Sequence, residues 1–513
     1  MVTAGLLRST LNTGSMTLIS RISGLIRDVV LATSFGAGLA ADAFYVAFRI
    51  PNFFRRIFAE GAFSQAFVPV LSEYRNRSDE ASIRVFISHM SASLGLILLL
   101  VVVGGVLASS AIVTVLAPGF LDEPEKFATT VSMLRITFPY LLFISLVAMS
   151  GGIMNACHHF TIPAFTPVLL NLSMIAAALL LAPLMDGSAI ALAWGVLLAG
   201  FVQLVFQFPK LRQMNLLVLP RINWQDEGVR KVGKLMVPAI IGSSAAQINL
   251  LINTILASFL VTGSVTWLYY SDRLMEFPLG IFGIALATVI LPVLSDTHHA
   301  RSKEEFSALL DWALRWAVLI GLPASVALVL LSEALLATLF QYRAFTAWDV
   351  GMASKSLIAF SLGLPGLIFI KVLAPGFFAR QDTRTPARIA VISVAVNIVF
   401  SLLLIKPFAH TGLALALTIS AYVNSGLLYY TLRRQGVLDL QPGWLLFLTK
   451  VFIASIGMGA VLYYGAGDLQ LWTNAGMLER ISRLTILIVT GAVIYFSLAF
   501  IFKIPIKEMV KSG

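Results

Sequence analysis

SASLGLILLLVVVGGVLASSAIVTVL, residues 91–116, runs for 26 positions without a charged side chain. A helix needs ~20 apolar residues to cross the hydrocarbon core of a bilayer, so this stretch is long enough to span one by itself. Similar runs, uncharged or nearly so, recur at 165–184, 188–207, 313–331, 389–405 and 484–502. The composition agrees. Hydrophobic residues make up 58% of the chain and charged residues 12%, where a soluble domain carries roughly a quarter charged. The mean hydropathy is +0.90. The chain reads as an all-α, multi-pass integral membrane protein.

The first apolar stretch holds Arg21, Arg27 and Asp28, unlike the uncharged core of a cleavable leader. A single cysteine, Cys157, leaves no intrachain disulfide and no thiolate metal cluster. The pairs His158–His159 and His298–His299 fall in expected loops, outside ligand spacings such as HExxH. No metal and no cofactor is expected. The net charge of +11 fits cytoplasmic loops facing anionic headgroups, not nucleic acid.

The apolar pattern predicts fourteen spans, near 14–36, 43–72, 87–116, 128–156, 163–184, 187–208, 231–260, 265–294, 305–332, 350–378, 387–406, 411–432, 442–464 and 481–502. Pro51 and Pro278 lie inside the second and eighth and should kink them, because proline removes a backbone donor. With both termini in the cytoplasm, twenty Lys and Arg fall in cytoplasmic segments. Five fall on the other side: Lys126, Arg343, Lys406, Arg480 and Arg483. The positive-inside rule selects that orientation.

The chain also repeats. FVPVLSEY (67–74) resembles ILPVLSDT (290–297), and FTIPA (160–164) resembles DTRTPA (382–387). Ser34-Phe35, Tyr45 and Arg49 match Ser258-Phe259, Tyr269 and Arg273 at an offset of 224, and Pro163 matches Pro386 at 223. Duplicated halves are a common way to build a transporter with a substrate site between them. The expected layout is two pseudo-symmetric six-helix lobes, 1–223 and 224–440, around a central cavity. Two added helices occupy 441–513.

An ionisable group at mid-bilayer costs at least ~2.5 kcal/mol, so the charges inside spans are informative. Span 1 has Arg21, Arg27 and Asp28. Span 2 has Asp42, Arg49, Arg55, Arg56 and Glu60. Span 8 has Asp272, Arg273 and Glu276, and span 10 has Lys371. Arg21, Gly24 and Asp28 share one helical stripe, as do Arg49, Asn52, Arg56 and Glu60. The plain alternative is that some of these residues are structural ion pairs, Arg56 with Glu60 above all, or snorkel at helix ends. The functional reading is a hydrated cavity rich in arginine. Excess arginine suits an anionic ligand, because the guanidinium donates bidentate hydrogen bonds to phosphate.

At these residues the sequence resembles a known family. SMTLISRISGLIRD (15–28), ADAFYVAFRIPNFFRRIFAEGAFSQAFVPVLSEY (41–74), SVTWLYYSDRLMEFPLGIFGIALATVILP (264–292) and KVLAPGFFARQDTRTP (371–386) are similar to the MurJ (MviN) lipid II flippases. These belong to the multidrug/oligosaccharidyl-lipid/polysaccharide exporter superfamily. The resemblance covers essentially the whole chain. It implies fourteen helices in two lobes, and transport of lipid-linked disaccharide-pentapeptide from the cytoplasmic to the outer leaflet of the bacterial inner membrane for peptidoglycan assembly. It implies important cations at Arg21, Arg27, Arg55 and Arg273 and an important acid at Asp42. Glu60, Asp272, Glu276 and Lys371 are further cavity candidates. The added helices would line a groove for the polyprenyl tail. Some members hold sodium with acids of the eleventh span. Here 387–406 has none, which leaves the coupling ion open.

The resulting expectation is a carrier and not an enzyme. Lipid II is its substrate, membrane lipids surround it, and cell-wall synthesis proteins are candidate partners. Alternating access would be biased by the membrane potential or an ion gradient. One rival is a multidrug or polysaccharide-lipid exporter of the same superfamily, for which a drug-cation cavity would favour acids and aromatics. The other is a polyprenyl-diphosphate enzyme or a scaffold. An enzyme would need a metal-binding acidic cluster or a positioned acid–base pair, and the chain has no DxD or DDxxD string of that kind. The orientation has a direct check. In a Cys157→Ser background, single cysteines placed in 209–230 should resist an impermeant maleimide in intact spheroplasts, whereas cysteines in 465–479 should react. Labelling of 209–230 from outside would reverse the topology.

Overall fold

The computed structural model describes residues 2–56, 63–77, 79–283, 290, 294 and 303–506. Among these residues every regular element is a helix, as expected where lipid offers the backbone no hydrogen-bond partners. In chain order they are α1 (Val2–Phe35), α2 (Leu39–Phe54), α3 (Ser64–Arg77), α4 (Glu80–Leu107), α5 (Ser109–Leu116), α6 (Pro124–Thr137), α7 (Tyr140–Ala156), α8 (Thr161–Ala176), α9 (Ile190–Gln213) and α10 (Glu227–Ser258). They continue with α11 (Ser264–Pro278), α12 (Lys303–Leu330), α13 (Ser332–Phe340), α14 (Ala347–Phe378), α15 (Arg384–Arg434), α16 (Trp444–Ala466), α17 (Leu469–Thr473) and α18 (Met477–Ile501). Nine helical stretches of the described residues are long and apolar enough to cross a membrane. The expected spans near 43–72 and 265–294 include residues outside the description, and neither these two nor the expected spans near 14–36 and 231–260 enter that count.

The distribution of polarity is that of a protein solvated by lipid. Leu100, Leu107, Leu184 and Phe500 are well exposed, while Asp28, Asp42, Lys126, Gln207 and Asn397 are buried. The chain forms two compact units, Met1–Val265 and Thr266–Gly513. By packing, α10 therefore belongs with the first unit. The expected lobe boundary at 223/224 concerns duplication of the chain, which a division by packing does not address.

In the first unit α1 packs on α8, α2 on α6, and α9 on α7 and α8. Small residues set the spacing. A Cβ on Gly195 of α9 would lie 2.5 Å from the Ala177 Cβ, so only glycine lets these backbones approach so closely. Aromatic rings fill the space between α3 and α4, where Phe67 and Tyr74 both stack on Phe86 at 5.8 and 4.5 Å. α10 lies across α3 and α4.

In the second unit α14 is central, packed on α12 and α15. α15 joins the expected spans 387–406 and 411–432. Ala409, at φ 48° and ψ −129°, reverses the chain between them just after Pro407. The reversal brings the Leu404 carbonyl to 2.2 Å from where a Gly412 Cβ would stand, so position 412 accepts only glycine. The sequence places kinks at Pro51 and Pro278, and each is followed by π-helix. The π geometry begins at Arg55 in the first unit and at Leu279 in the second, the same offset of 224 that relates Arg49 to Arg273. A π turn inserts a residue into the helical ladder and breaks its regularity.

The added helices are pinned to α12 and α13 at three levels. At the α16 start, buried Asp311 accepts hydrogen bonds from the Trp444 indole (2.5 Å), the Gln441 N–H (3.0 Å) and the Arg315 guanidinium (2.8 Å). Arg315 also lies over the Trp444 and Phe447 rings. At mid-height the Tyr495 hydroxyl donates to the Leu319 carbonyl at 2.6 Å. At the α18 start, Arg480 is 6% exposed and donates to the carbonyls of Ala337, Gln341, Thr473 and Ala475. Two of these acceptors lie at the C-terminal end of α13, where free carbonyls and the helix dipole favour a cation. Removing one partner of a buried, hydrogen-bonded charge costs ~3–5 kcal/mol. Asp311→Ala is therefore expected to lower the melting temperature of the detergent-purified protein clearly, while Glu479→Ala, in an exposed pair with Arg483, leaves it unchanged. Equal effects of the two would mean the clamp carries no stability.

Candidate functional site

The charged residues singled out in the sequence fall into two groups, those engaged by the protein interior and those left partly open. Arg27 of α1 is 5% exposed. Its Nε and Nη2 donate to Asp28 Oδ1 at 3.0 and 2.6 Å, and its Nη1 donates to Asn171 Oδ1 of α8 at 3.0 Å. Asn171 in turn donates to Ser23 Oγ and the Ser20 carbonyl. Arginine cannot shed its proton, so this network compensates the charge where α1 meets α8.

Asp42, in the first turn of α2, is 1% exposed. Its Oδ2 lies 3.2 Å from Lys126 Nζ and accepts the Gly263 N–H at 2.8 Å. Lys126 also donates to Thr262 at 3.0 Å, contacts Glu123 at 3.5 Å and sits 4.3 Å over the Phe120 ring. The pair thus ties α2 and α6 to the segment between α10 and α11. Sequence reasoning counted Lys126 as a loop charge. The structure places it among the largest fully buried side chains, and no local signal distinguishes it from a solvated lysine. The second unit has a comparable side-chain contact at the starts of α11 and α14. There the Trp267 indole donates to Asp349 at 2.9 Å, and Asp349 closes a capping box with Thr346.

The more open group lies beside the π turns. Arg49 of α2 donates to Thr254 Oγ1 of α10 at 2.6 Å. Arg55, where the π turn begins, donates to Asn52 at 3.0 Å. Arg21 and Asp272 are half-buried on α1 and α11. Arg273 pairs with Glu276 at 3.1 Å, with side chains 40% and 47% exposed. Lys371 is exposed on α14, its Cγ 3.6 Å from where a Gly283 Cβ would stand at the end of the second π turn. Glu60 lies outside the described residues. In each unit, incompletely buried cations thus lie on or beside a helix that runs into a π turn, α2 in the first and α11 in the second, where lipid-facing structure would be costly for a charge.

A helical membrane bundle with half-exposed cations beside broken helices has a form found in transporters. The sequence profile of the family "Lipid II flippase MurJ" matches residues 31–481. A protein of Haemophilus influenzae described as "Probable lipid II flippase MurJ" is 46% identical over 493 residues, covering 94% of this chain and 96% of that one. Among solved structures, "Lipid II flippase MurJ, inward closed conformation" aligns with TM-score 0.80 and 26% identity over 96% of this chain and 98% of that one. An inward-facing multidrug resistance MATE family transporter of the MOP superfamily aligns with TM-score 0.67 and 14% identity, over 83% of this chain and 98% of that one, a likeness of fold alone. The chain belongs to the lipid II flippase MurJ family.

Asp42 and Lys126 can be tested as a pair. Lys126→Ala leaves a buried carboxylate short of its cation and should cost ~3–5 kcal/mol, read as low abundance and early melting. Lys126→Met with Asp42→Asn should restore abundance. If the double variant restores growth of a depleted strain as well, Asp42 serves the fold; if abundance returns without growth, Asp42 has a transport role beyond its lysine.

Proposed function

We infer that the chain flips lipid II, a lipid-linked peptidoglycan precursor, across the bacterial cytoplasmic membrane by alternating access, and makes or breaks no bond. Membership of the family supports this reading, and so does the alternating access of transporters with its fold. The observation that carries the chemistry is the set of arginines on α1, α2 and α11, inside helices that otherwise read as membrane spans. The proposed topology has fourteen spans, counting α15 as two and adding the four expected near 14–36, 43–72, 231–260 and 265–294. Both termini lie in the cytoplasm, two six-helix lobes flank the ligand, and α16 and α18 guide the tail.

In this reading Arg21, Arg55, Arg273 and Lys371 replace the water shell of the diphosphate, and Asp272 and Glu276 hold those cations in place when the substrate is absent. Arg27 and Asp42 are engaged by Asn171 and Lys126 in this conformation, and they act on transport chiefly by holding helix contacts. An excess of arginine over acid disfavours a drug cation as cargo. A step that moves net charge can be driven by the membrane potential at ~2.3 kcal/mol per charge per 100 mV, or by an ion gradient. Proteins of cell-wall synthesis are the natural partners of such a carrier.

Arg273 gives the test. Its pair with Glu276 is half-exposed, and such pairs contribute little to stability. Arg273→Ala should therefore leave abundance near wild type and abolish lipid II translocation. Arg273→Lys, a point charge in place of a planar fork, should keep part of the activity at most. Adding Asp272→Asn and Glu276→Gln to Arg273→Ala separates the roles. Recovery of growth in that triple variant would make Arg273 a counter-ion and remove it from the substrate site.

A further inference from the structure

Between α9 and α10 the chain runs without helix from Leu216 to Asn223, and this strap is fixed to α4. Ser88 Oγ donates to the Leu219 carbonyl at 2.6 Å, and the Arg221 N–H donates back to the Ser88 carbonyl at 3.3 Å. Beyond the strap, His89 meets Asp226 at 2.8 Å and Lys231 pairs with Glu73. The anchor point sets the depth. Ser88 lies eight residues into α4, ~12 Å from its first residue at 1.5 Å per residue. Val85, already 49% exposed, precedes it. The strap is therefore level with the start of the lipid-facing surface of α4 and does not stand off in water. On the other side it follows Phe206 and Phe208, the last exposed rings of α9.

The outward side of the strap is apolar and basic together. Leu216 and Val218 are half-buried, whereas Leu217, Leu219 and Arg221 are exposed, with Leu219 at 82%. Ile222 and Trp224 are exposed beyond them. Arg212 closes α9, and Arg230 donates to the Trp224 carbonyl at 3.1 Å. Lys210 and Lys234 add to the positive rim. Of the nearby acids, Asp226 is engaged by His89 and Glu227 stands in the first turn of α10. Exposed aliphatic side chains, a tryptophan and a basic excess at one depth match the boundary between headgroups and acyl chains.

We propose that the strap and its flanking arginines form a docking surface for anionic glycerophospholipids of the leaflet it faces. Leu217, Leu219 and Ile222 enter the acyl boundary, and Arg212, Arg221 and Arg230 hold headgroup phosphates through charge-assisted hydrogen bonds. Each basic residue near an anionic surface is worth about fivefold in lipid occupancy, ~1 kcal/mol. The surface is separate from the transport residues, so its test does not depend on the identity of the cargo.

The experiment uses the full-length chain with Cys157→Ser and Leu219→Cys, labelled with an environment-sensitive nitrobenzoxadiazole probe, in phosphatidylcholine nanodiscs. A small fraction of lipid spin-labelled near the headgroup is added, either phosphatidylglycerol or phosphatidylcholine. Blue-shifted emission is expected, with quenching several-fold stronger by the phosphatidylglycerol. Arg212→Gln, Arg221→Gln and Arg230→Gln together should abolish that difference and keep the blue shift. Arg221→Gln alone, at an exposed position, should reduce it by a smaller factor and guards against misfolding of the triple variant. Water-like emission without quenching overturns the placement. Equal quenching by the two lipids in the parent protein overturns the recognition of charge.

Discussion

Inside a bilayer a charge has no water to fall back on, and that constraint governs where this protein keeps its polar groups. Arg27, Asp42, Lys126, Asp311 and Arg480 are all at most 6% exposed, and each is met by hydrogen bonds from a different helix or connecting segment. The compensation is what joins the elements: α1 to α8 through Asn171, α2 to α6 through Lys126, α16 to α12 through Asp311, and α18 to α13 through Arg480. At a water-exposed surface such contacts would compete with water and contribute little. Here the alternative to each contact is an unsolvated ion, so breaking it is costly. The apolar packing around them supplies shape, with glycine where backbones must touch, but it selects partners less sharply because lipid is as apolar as leucine.

Against that background the partly open cations stand out. Arg273 with Glu276, Arg55 with Asn52 and the exposed Lys371 are not locked into the interior as Arg27 is. They lie at or near places where α2 and α11 leave α-helical geometry. A carrier for an anionic lipid needs cations that can exchange protein partners for phosphate, and a half-exposed ion pair can make that exchange where a fully desolvated one cannot without loosening the fold.

Much of the architecture was legible in the sequence. The runs at 91–116 and 389–405 announce membrane helices by length alone. Pro51 and Pro278 announce breaks, and each is followed by π geometry. The charges were legible as exceptions but not as roles. Arg27 and Arg21 look alike in the sequence, seven positions from Asp28 in one case and adjacent to it in the other, yet only the packing of α8 supplies Asn171 and closes Arg27 in. Lys126 and Arg480 were read as loop charges because linear position fixes only the side of the membrane. Their burial depends on long-range contacts with Thr262 and with the end of α13. The break between the two helices of α15 falls at Ala409, between the expected spans 387–406 and 411–432 and just after Pro407.

Under the duplication expected from the sequence, the π turns also bear on how the two halves would have diverged. Upstream of them, matched residues are 224 apart, at Ser34 and Ser258, Tyr45 and Tyr269, Arg49 and Arg273. Downstream, Pro69 and Pro292 are 223 apart, so the copies differ in length by one residue across the stretch that follows the start of each turn. A regular α-helix cannot absorb a single insertion or deletion without rotating everything beyond it by about 100°. A helix already carrying a π turn can take up or release that residue and leave both flanking faces pointing where they did. The two copies could therefore drift in length here while keeping their ligand-facing and lipid-facing sides, a tolerance that the uninterrupted helices α4 and α9 do not have.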